Sequence, residues 1–348
     1  MQQTGSHTFS FFEVQVARIR SLTPDAVEIA LHIPGELKPH FDFVPGQHLM
    51  LEVCLDGNTY RRSYSLCNAP GEPLTLAVKR MPGGIVSNFL VTRLKVGDLL
   101  RISTPVGSFR LDAVHKHVVL IGAGSGITPL LSMFRNGTHR RLKVSLLYGN
   151  QSPESTMFWD EFNSFNPSAR VTHFFSQAHE TGCFFGRING ETLSSYFTSY
   201  PEDLRAEGYY LCGPSDMIDS VRAYLETQGI SSKRIHSEYF SAPEVDNAGL
   251  VKNEISKSQM CVILEGDRYE VQWHSSDATM LESIRKDGIN APFSCKKGVC
   301  GSCRAKVSKG SVNLFSNYAL TEEEIQEGYI LTCQCVPTSE ILEVSFDE

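Results

Sequence analysis

Long apolar runs are missing from this 348-residue chain. None approaches the ~18–20 residues a membrane helix needs, so no helical span is read. The opening Met1-Gln2-Gln3-Thr4-Gly5-Ser6-His7 lacks a basic stretch followed by an apolar one. No secretory signal is read there, and a reducing cytoplasmic compartment is expected. An excess of positive charge is missing too: 32 Lys+Arg stand against 39 Asp+Glu, a net charge of −7. Nucleic acid is therefore not expected as a partner, because no general phosphate-neutralising surface is available. Internal repeats and low-complexity segments are also lacking. What remains is ordinary globular composition, 41% hydrophobic and 20% charged, over a length that holds two or three domains.

Of the ten cysteines, four form a pattern: Cys295, Cys300 and Cys303 at C-x4-C-x2-C, with Cys333 further on. That spacing matches a plant-type [2Fe–2S] site, where two bridged irons need four thiolates from a tight loop and a distant strand. Gly298 and Gly301 let backbone N–H groups turn towards the sulfurs. Structural zinc is the competing reading, and it usually pairs such a loop with a second knuckle or with histidines. Cys333 and Cys335 lie too close together for that. Cys54 and Cys67 read as packing residues, and Cys261 and Cys335 fall outside the ligand set.

From Thr8 to about Asp112 short alternating strands, such as Phe11–Ile19 and Ala26–Ile33, are broken by Pro34-Gly35 and Asp56-Gly57. Six or so strands in this span predict a small antiparallel barrel. Arg62-Ser63-Tyr64-Ser65 lies on one of them, with Arg62 and Tyr64 on one face and the serines on the other. Arginine offers a fork to a phosphate, and tyrosine a ring and a hydroxyl. Lys79 to Leu90 reads as a glycine loop running into a helix with Ser87 near its start, an anion site.

After His115 the pattern becomes strand–turn–helix. The apolar Val118–Ile121 runs into Gly122-Ala123-Gly124-Ser125-Gly126-Ile127-Thr128-Pro129 and then a helix, the placement a phosphate-cradling turn requires. Leu142–Asn150 and Val171–Ser176 follow as strands. Tyr209-Tyr210-Leu211-Cys212-Gly213-Pro214 is a strand end opening into a helix, where doubly wound sheets bind ligands. Neither arginine nor aspartate follows the second and third strands: Asn150-Gln151-Ser152 and Ser176-Gln177 stand there, and Arg187 is the nearest cation. The choice leans to NADH, with NADPH open. Residues 241–256 read as a polar tether. A hairpin about Gly266-Asp267 and a helix from Met280 to a glycine stop at Gly288 precede the cysteine loop.

The R-x-Y-S and G-G-x-x-S elements, the G-x-G-x-G-x-T-P turn and the C-G-P-x-x-M element together resemble the ferredoxin–NADP reductase superfamily. The last ninety or so residues are similar to plant-type ferredoxins. The resemblance implies a multidomain α+β and α/β protein: an antiparallel flavin-binding β-barrel (8–112), a doubly wound parallel-sheet nucleotide-binding domain (113–240), a linker (241–256) and a β-grasp ferredoxin domain (257–348). It implies Arg62, Tyr64, Ser65, Lys79, Gly84, Val86 and Ser87 at the flavin, with Arg62 and Ser87 on its phosphates, Tyr64 stacked and Ser65 near N5. It implies Gly122, Gly124, Gly126, Thr128, Cys212, Gly213 and Pro214 at the nicotinamide dinucleotide. Tyr239 or Phe240 would cover the flavin, and Phe240 is carried forward. Ser65, Cys212 and Glu238 are the candidates along the hydride path, with no catalytic acid or base assigned. The cofactors implied are FAD (FMN the alternative), a [2Fe–2S] cluster, and NADH or NADPH as substrate.

Leu147-Tyr148-Gly149-Asn150, Phe185-Gly186-Arg187-Ile188-Asn189-Gly190 and His236-Ser237-Glu238-Tyr239-Phe240 resemble the reductases of phenylacetyl-CoA epoxidase systems. That likeness implies an NAD(P)H-driven electron-transfer enzyme whose partner is the oxygenase component of a multicomponent monooxygenase or dioxygenase, with a diiron oxygenase favoured. Reductases of Rieske oxygenases, hydroxylases and desaturases share the layout. A zinc-stabilised binding module and a free-standing redox sensor are the readings of other classes.

Overall fold

The computed structural model describes residues 11–162, 169–241 and 255–348. The tether expected over 241–256 falls almost wholly outside them, as do residues 8–10 of the expected barrel. The chain divides into two compact units, one from Phe11 to Phe240 and one holding the residues after it. Among the described residues no helix is long and apolar enough to cross a membrane.

The first unit opens with six strands and a helix: β1 (Phe11–Thr23), β2 (Ala26–His32), β3 (His48–Leu55), β4 (Asn58–Ser65), β5 (Thr75–Lys79), α1 (Ile85–Thr92) and β6 (Leu99–Ser103). They form one antiparallel sheet in the order β4-β3-β6-β1-β2-β5. A bridge between Leu66 and Leu76 brings the end of β4 to β5 and joins the two edges. Period-two alternation points Val14, Ile29, Leu49, Leu51, Leu76 and Ile102 into one core. Asp56 and Gly57, at φ 51° and 76°, turn β3 into β4. Pro34-Gly35, expected as a turn, instead opens a short 3₁₀ helix over Gly35–Phe41.

The same unit continues with β7 (His117–Ala123), α2 (Ile127–His139), β8 (Lys143–Asn150), α3 (Trp159–Phe162), β9 (Ala169–Phe175), β10 (Phe184–Phe185), α4 (Gly190–Ser199), β11 (Gly208–Gly213), α5 (Ser215–Thr227) and β12 (Ile235–Tyr239). Its strands are all parallel, in the order β10-β9-β8-β7-β11-β12. Val118, Val119, Leu120 and Ile121 are all fully buried, as a strand covered on both faces requires. The order reverses at β7, between β8 and β11, which is where such sheets open a crevice at their carboxyl ends. One core cluster joins Ala26, Cys67, Ala77, Phe109 and Leu111 to Val118, Leu130 and Phe134, so the two sheets share packing.

The second unit holds β13 (Lys257–Leu264), β14 (Asp267–His274), α6 (Met280–Lys286), β15 (Arg304–Lys309), β16 (Val312–Leu314), α7 (Glu322–Gln326), β17 (Tyr329–Leu331), β18 (Cys335–Pro337) and β19 (Ile341–Ser345). Five strands pair as β14-β13-β19-β15-β17 and two as β16-β18. The helix α6 packs Met280, Leu281 and Ile284 into a core around Trp273 and Leu342. The hairpin turns on Glu265-Gly266, at φ 59° and 80°, one residue earlier than expected. Both central residues must adopt positive φ, and the register places Leu264 against Asp267.

Candidate functional site

The register of β3 against β4 sets Ser65 directly opposite His48, and Tyr64 opposite Leu49. Tyr64 thus packs on the barrel core, and burial raises its hydroxyl pKa. Ser65 and His48 share the other face. His48 is fixed there by a two-way backbone bridge to Val106 at 2.9 Å. From the parallel sheet, β12 brings Glu238 to this point, with Oε1 3.8 Å from His48 Nδ1. The pairing of β11 with β12 places Cys212 beside Glu238. Cys212 is fully buried; burial, then the Glu238 charge, pushes its thiol well up, so it presents a neutral sulfur. The structure therefore gathers Ser65, Cys212 and Glu238 from three strands, with His48 as a fourth member.

Two buried atoms at this point, His48 Nε2 and Glu238 Oε2, find no hydrogen-bond partner among the described residues. Each such group is worth roughly 1–3 kcal/mol when unsatisfied, which a polar ligand would recover. In the barrel half, α1 follows Gly84 with no side-chain cap, leaving its first N–H groups for an anion. Ser87 Oγ accepts the Met81 N–H at 3.1 Å and so braces the loop that leads in. Val86 is buried; Lys79 pairs with Asp25 at 3.6 Å. Arg62 is exposed, its guanidinium donating to the Arg61 carbonyl at 2.7 Å. Tyr239 is occupied elsewhere, donating to Asp219 at 2.7 Å, whereas Phe240 is 42% exposed.

The glycine turn presses β7 against the end of β11. A Cβ on Gly126 would lie 2.5 Å from the Cys212 carbonyl carbon and 2.7 Å from Gly213 N, and nearer still to the Cys212 oxygen. Only glycine lets these backbones approach so closely. The turn is pinned by Tyr148 Oη donating to Gly124 O at 3.0 Å and Thr128 Oγ1 donating to Ser125 O at 3.1 Å. No side chain caps α2 at Gly126; the Ile127 N–H donates to the Gly124 and Ser125 carbonyls within the turn, and Pro129 has no N–H to offer. Gly122, next to last in β7, pairs with Cys212, and Pro214 immediately precedes α5. Asn150 Nδ2 at the end of β8 is buried without a partner among the described residues. Arg187 is exposed and lies 3.7 Å from the equally exposed Asp216.

In the second unit the cysteines gather in two pairs. Cys295 and Cys300 interact, with the Cys295 N–H donating to Cys300 Sγ at 3.4 Å. Cys303 and Cys333 form the other pair, brought together because Thr332 donates its N–H and hydroxyl to Cys303 O at 3.1 and 3.0 Å. In each pair one thiol is shifted down by its partner. The Cys300 hydrogen bond brings Cys295 down to about 5 against the effect of burial, and the Cys303 hydrogen bond lowers Cys333. Gly298, at φ 75°, packs so tightly that a Cβ would meet Gln334 Cγ at 3.0 Å and Ser316 O at 3.1 Å. Among the described residues no three His, Cys, Asp or Glu side chains gather as one ion would need. Two thiolates for each of two irons is the arrangement this pairing fits.

Three family models cover the chain in order: an oxidoreductase FAD-binding domain over 13–111, an oxidoreductase NAD-binding domain over 120–223 and a 2Fe-2S iron-sulfur cluster binding domain over 262–338. One of the subunits of 1,2-phenylacetyl-CoA epoxidase from Escherichia coli K12 is 32% identical, over 97% of this chain and 98% of its own. The chain belongs to the ferredoxin–NADP reductase superfamily. The ferredoxin reductase component of 3-ketosteroid-9-alpha-monooxygenase from Mycobacterium tuberculosis is 29% identical over 99% and 97% of the two chains. Among solved structures, phthalate dioxygenase reductase superposes with a TM-score of 0.62 at 26% identity, covering 97% of this chain and 98% of that one.

As a member of this superfamily the chain is an NAD(P)H-dependent oxidoreductase with FAD-binding, NAD-binding and [2Fe–2S]-binding domains. The residues present suit such groups: buried His48 and Glu238 atoms without partners among the described residues, a glycine turn packed against Cys212, and paired thiols in the cysteine loop. The reductase pattern read from sequence missed two residues. His48 was discoverable as the lone ionisable start of the apolar strand His48–Leu51, buried at 5% exposure. Ser302 lies within the cysteine loop with its hydroxyl beside the Cys300 sulfur, yet the buried Oγ has no hydrogen-bond partner among the described residues. It is placed to donate to a thiolate or sulfide.

Proposed function

We propose that this reductase passes electrons from NAD(P)H through FAD and a [2Fe–2S] cluster to the oxygenase component of a multicomponent system, with a diiron oxygenase of the phenylacetyl-CoA epoxidase kind favoured. The observation that carries the reading is the gathering of Ser65, His48, Cys212 and Glu238 from both sheets at the crevice, with unpartnered polar atoms on two of them. The finer choice of partner is supported by end-to-end similarity to the Escherichia coli phenylacetyl-CoA epoxidase chain. A second reading, service to a Rieske or steroid-hydroxylating oxygenase, is favoured by the 3-ketosteroid monooxygenase and phthalate dioxygenase reductases.

A bound flavin accepts the two electrons of a hydride together and releases them singly, and the cluster carries one at a time. The chain's own residues position and shield. Arg62 and the uncapped start of α1, shaped by Ser87, Gly84 and Val86, would hold the flavin phosphates, with Lys79 alongside and Tyr64 and Phe240 against the ring. Gly122, Gly124, Gly126 and Thr128 would shape the dinucleotide turn, with Gly213 and Pro214 at the nicotinamide end. Ser65 would orient the reacting edge. Cys212 keeps a neutral surface beside it, and the His48–Glu238 pair can hold a proton at Nδ1 or Oε1. Cys295, Cys300, Cys303 and Cys333 would ligate the cluster. Neither arginine nor aspartate stands at Asn150-Gln151-Ser152 or at Ser176-Gln177, and NADH is the reading, with NADPH the alternative. The domain limits 8–112, 113–240 and 257–348, with a tether at 241–256, belong to this proposal, as does a cytoplasmic location, where NAD(P)H is supplied.

The test is optical and kinetic. The purified protein should carry flavin and iron–sulfur absorption at roughly 400–550 nm, and both should bleach on adding NADH. Bleaching of the flavin alone, with the iron staying oxidised, would sink the proposal.

A further inference from the structure

We propose that the rim of the cysteine loop, led by Lys296 and Lys297 beside Phe293 and Phe315, is the docking surface for a protein acceptor that presents carboxylates around its electron-entry point. The inference rests on the electron-transfer reading above and adds the sign of the partner's surface.

The second unit is charge-polarised. Between Ile255 and Glu348 it has nine Lys+Arg and fourteen Asp+Glu. Yet the stretch from Arg285 to Lys306, which contains the first three cluster cysteines, has six cations against one carboxylate, Asp287. Several of these cations are neutralised at home: Lys286 by Asp277 at 2.6 Å, Arg304 by Glu324 at 3.2 Å and Lys306 by Glu348 at 3.5 Å. Lys296 and Lys297 are exposed, and neither ammonium meets a carboxylate among the described residues. The positive field left over is therefore concentrated on the loop itself.

The loop also holds Lys296 in an unusual way. Its φ is 55°, a left-handed conformation that glycine or asparagine adopts more cheaply. A lysine kept there at roughly 1–2 kcal/mol is an outlier that calls for a functional reason. Local ties fix it. Gln334 Nε2 donates to Lys296 O at 3.0 Å, and the Lys297 N–H donates to Cys295 Sγ at 3.3 Å. Lys296 Nζ lies 4.8 Å from the Phe293 ring centre and Arg285 Cζ 4.2 Å from the same ring. Phe315, 37% exposed, is tied to the same Gln334 through its N–H at 3.0 Å. Aromatic surface beside two ammonium groups that meet no carboxylate among the described residues suits a partner with a carboxylate rim, where opposite fields steer encounter and orient the redox edges.

The experiment compares two protein probes with the full-length holoprotein: the acidic soluble domain of cytochrome b5 and the basic cytochrome c. Reduction of each by NADH is followed against ionic strength, with Cys300→Ser giving the background that bypasses the cluster. For Lys296→Glu/Lys297→Glu, cluster-dependent reduction of cytochrome b5 should fall about tenfold at low salt and lose most of its salt dependence. Reduction of cytochrome c should not fall, and NADH should still bleach the cluster at the wild-type rate without any acceptor. A neutral pair, Lys296→Asn/Lys297→Gln, should lie between, and it decides the matter if the glutamates disturb the cluster spectrum. Charge-independent reduction of cytochrome b5 would overturn the proposal. So would a slowed internal bleaching, which would assign the rim to the flavin unit, or a salt-sensitive dimer lost in the variants, which would assign it to a second copy. Failure of NADH to bleach the cluster in the unaltered protein is a different result, and it would remove the electron-transfer reading instead.

Discussion

Replacing Gly126 with alanine tests the shared crevice at its tightest point. The added methyl would sit 2.5 Å from the Cys212 carbonyl carbon and 2.7 Å from Gly213 N. Ordinary carbon contacts lie near 3.5 Å, so the turn and the end of β11 must separate by about 1 Å. Both surfaces are backbone, and no side-chain rotation can absorb the displacement. Overpacking of this kind destabilises by roughly 1–3 kcal/mol, which in a unit of this size lowers the melting temperature by several degrees. The kinetic effect should be larger. Moving Cys212 and Gly213 shifts the expected nicotinamide position, and a 1 Å misplacement costs on the order of 10²-fold in rate. Stopped-flow bleaching of the flavin at saturating NADH measures that rate, and calorimetry measures the stability. Iron content and cluster absorption should be unchanged, because the cysteines belong to the other unit. A variant with wild-type hydride transfer would show that this turn does not set the nucleotide's position, and the site assignment would fall with it.

Two other substitutions probe separate parts of the argument. Asp203 is fully buried, accepting from Tyr196 at 2.6 Å and Arg170 at 3.2 Å and lying 2.9 Å from His117 Nε2. Asp203→Asn should destabilise the first unit by about 3 kcal/mol at neutral pH in denaturant unfolding, because it breaks the buried charge-assisted network that Tyr196, Arg170 and His117 make with the carboxylate. Burial raises the Asp203 pKa, but hydrogen bonds from His117, Tyr196 and Ser145 outweigh it and the net shift is downward. Its contribution is therefore complete above the unfolded value of about 3.9 and fades as pH falls through the lower folded value. The gap between wild type and variant should close only in strong acid; a constant gap would remove the ionic account. Cys300→Ser should abolish the iron–sulfur absorption while NADH still reduces the flavin, and equal loss of flavin reduction would mean the two units are not separable.

Much of this architecture is legible in the amino-acid order because its signals are local. The alternation in Phe11–Ile19, the strand–glycine–helix passage through Gly122–Thr128 and the cysteine spacing each depend on neighbours within a dozen residues. The missed features depend on distant pairs. His48 acquires meaning only because β12 carries Glu238 to within 3.8 Å of it, 190 positions later. Asp203 reads as a surface acid in Pro201–Arg205 until His117 and Arg170, at the starts of β7 and β9, converge on it. The hairpin turn was misplaced by one residue because Gly266-Asp267 and Glu265-Gly266 both contain the glycine, and only the register decides between them.

The division of the chain into units follows from what each transfer demands. A hydride moves only between atoms held close and aligned, so the donor and acceptor surfaces need one rigid frame. The first unit supplies it in two ways. Its two sheets share a core, and ion pairs and hydrogen bonds cross between them. Arg20 on β1 reaches Glu161 on α3 at 3.8 Å. Arg135 on α2 reaches Glu28 on β2 at 4.0 Å and donates to the Cys67 carbonyl at 2.7 Å. Ser132 donates to Asn68 O at 2.7 Å, and Tyr210 Oη accepts the Asp112 N–H at 3.0 Å. A single electron needs no shared bond geometry, so the cluster can be housed in a unit with its own core. On the proposal above, the cysteine loop presents one charged rim to whatever takes the electron next, and Lys296 and Lys297, whose ammonium groups meet no carboxylate among the described residues, would set its selectivity.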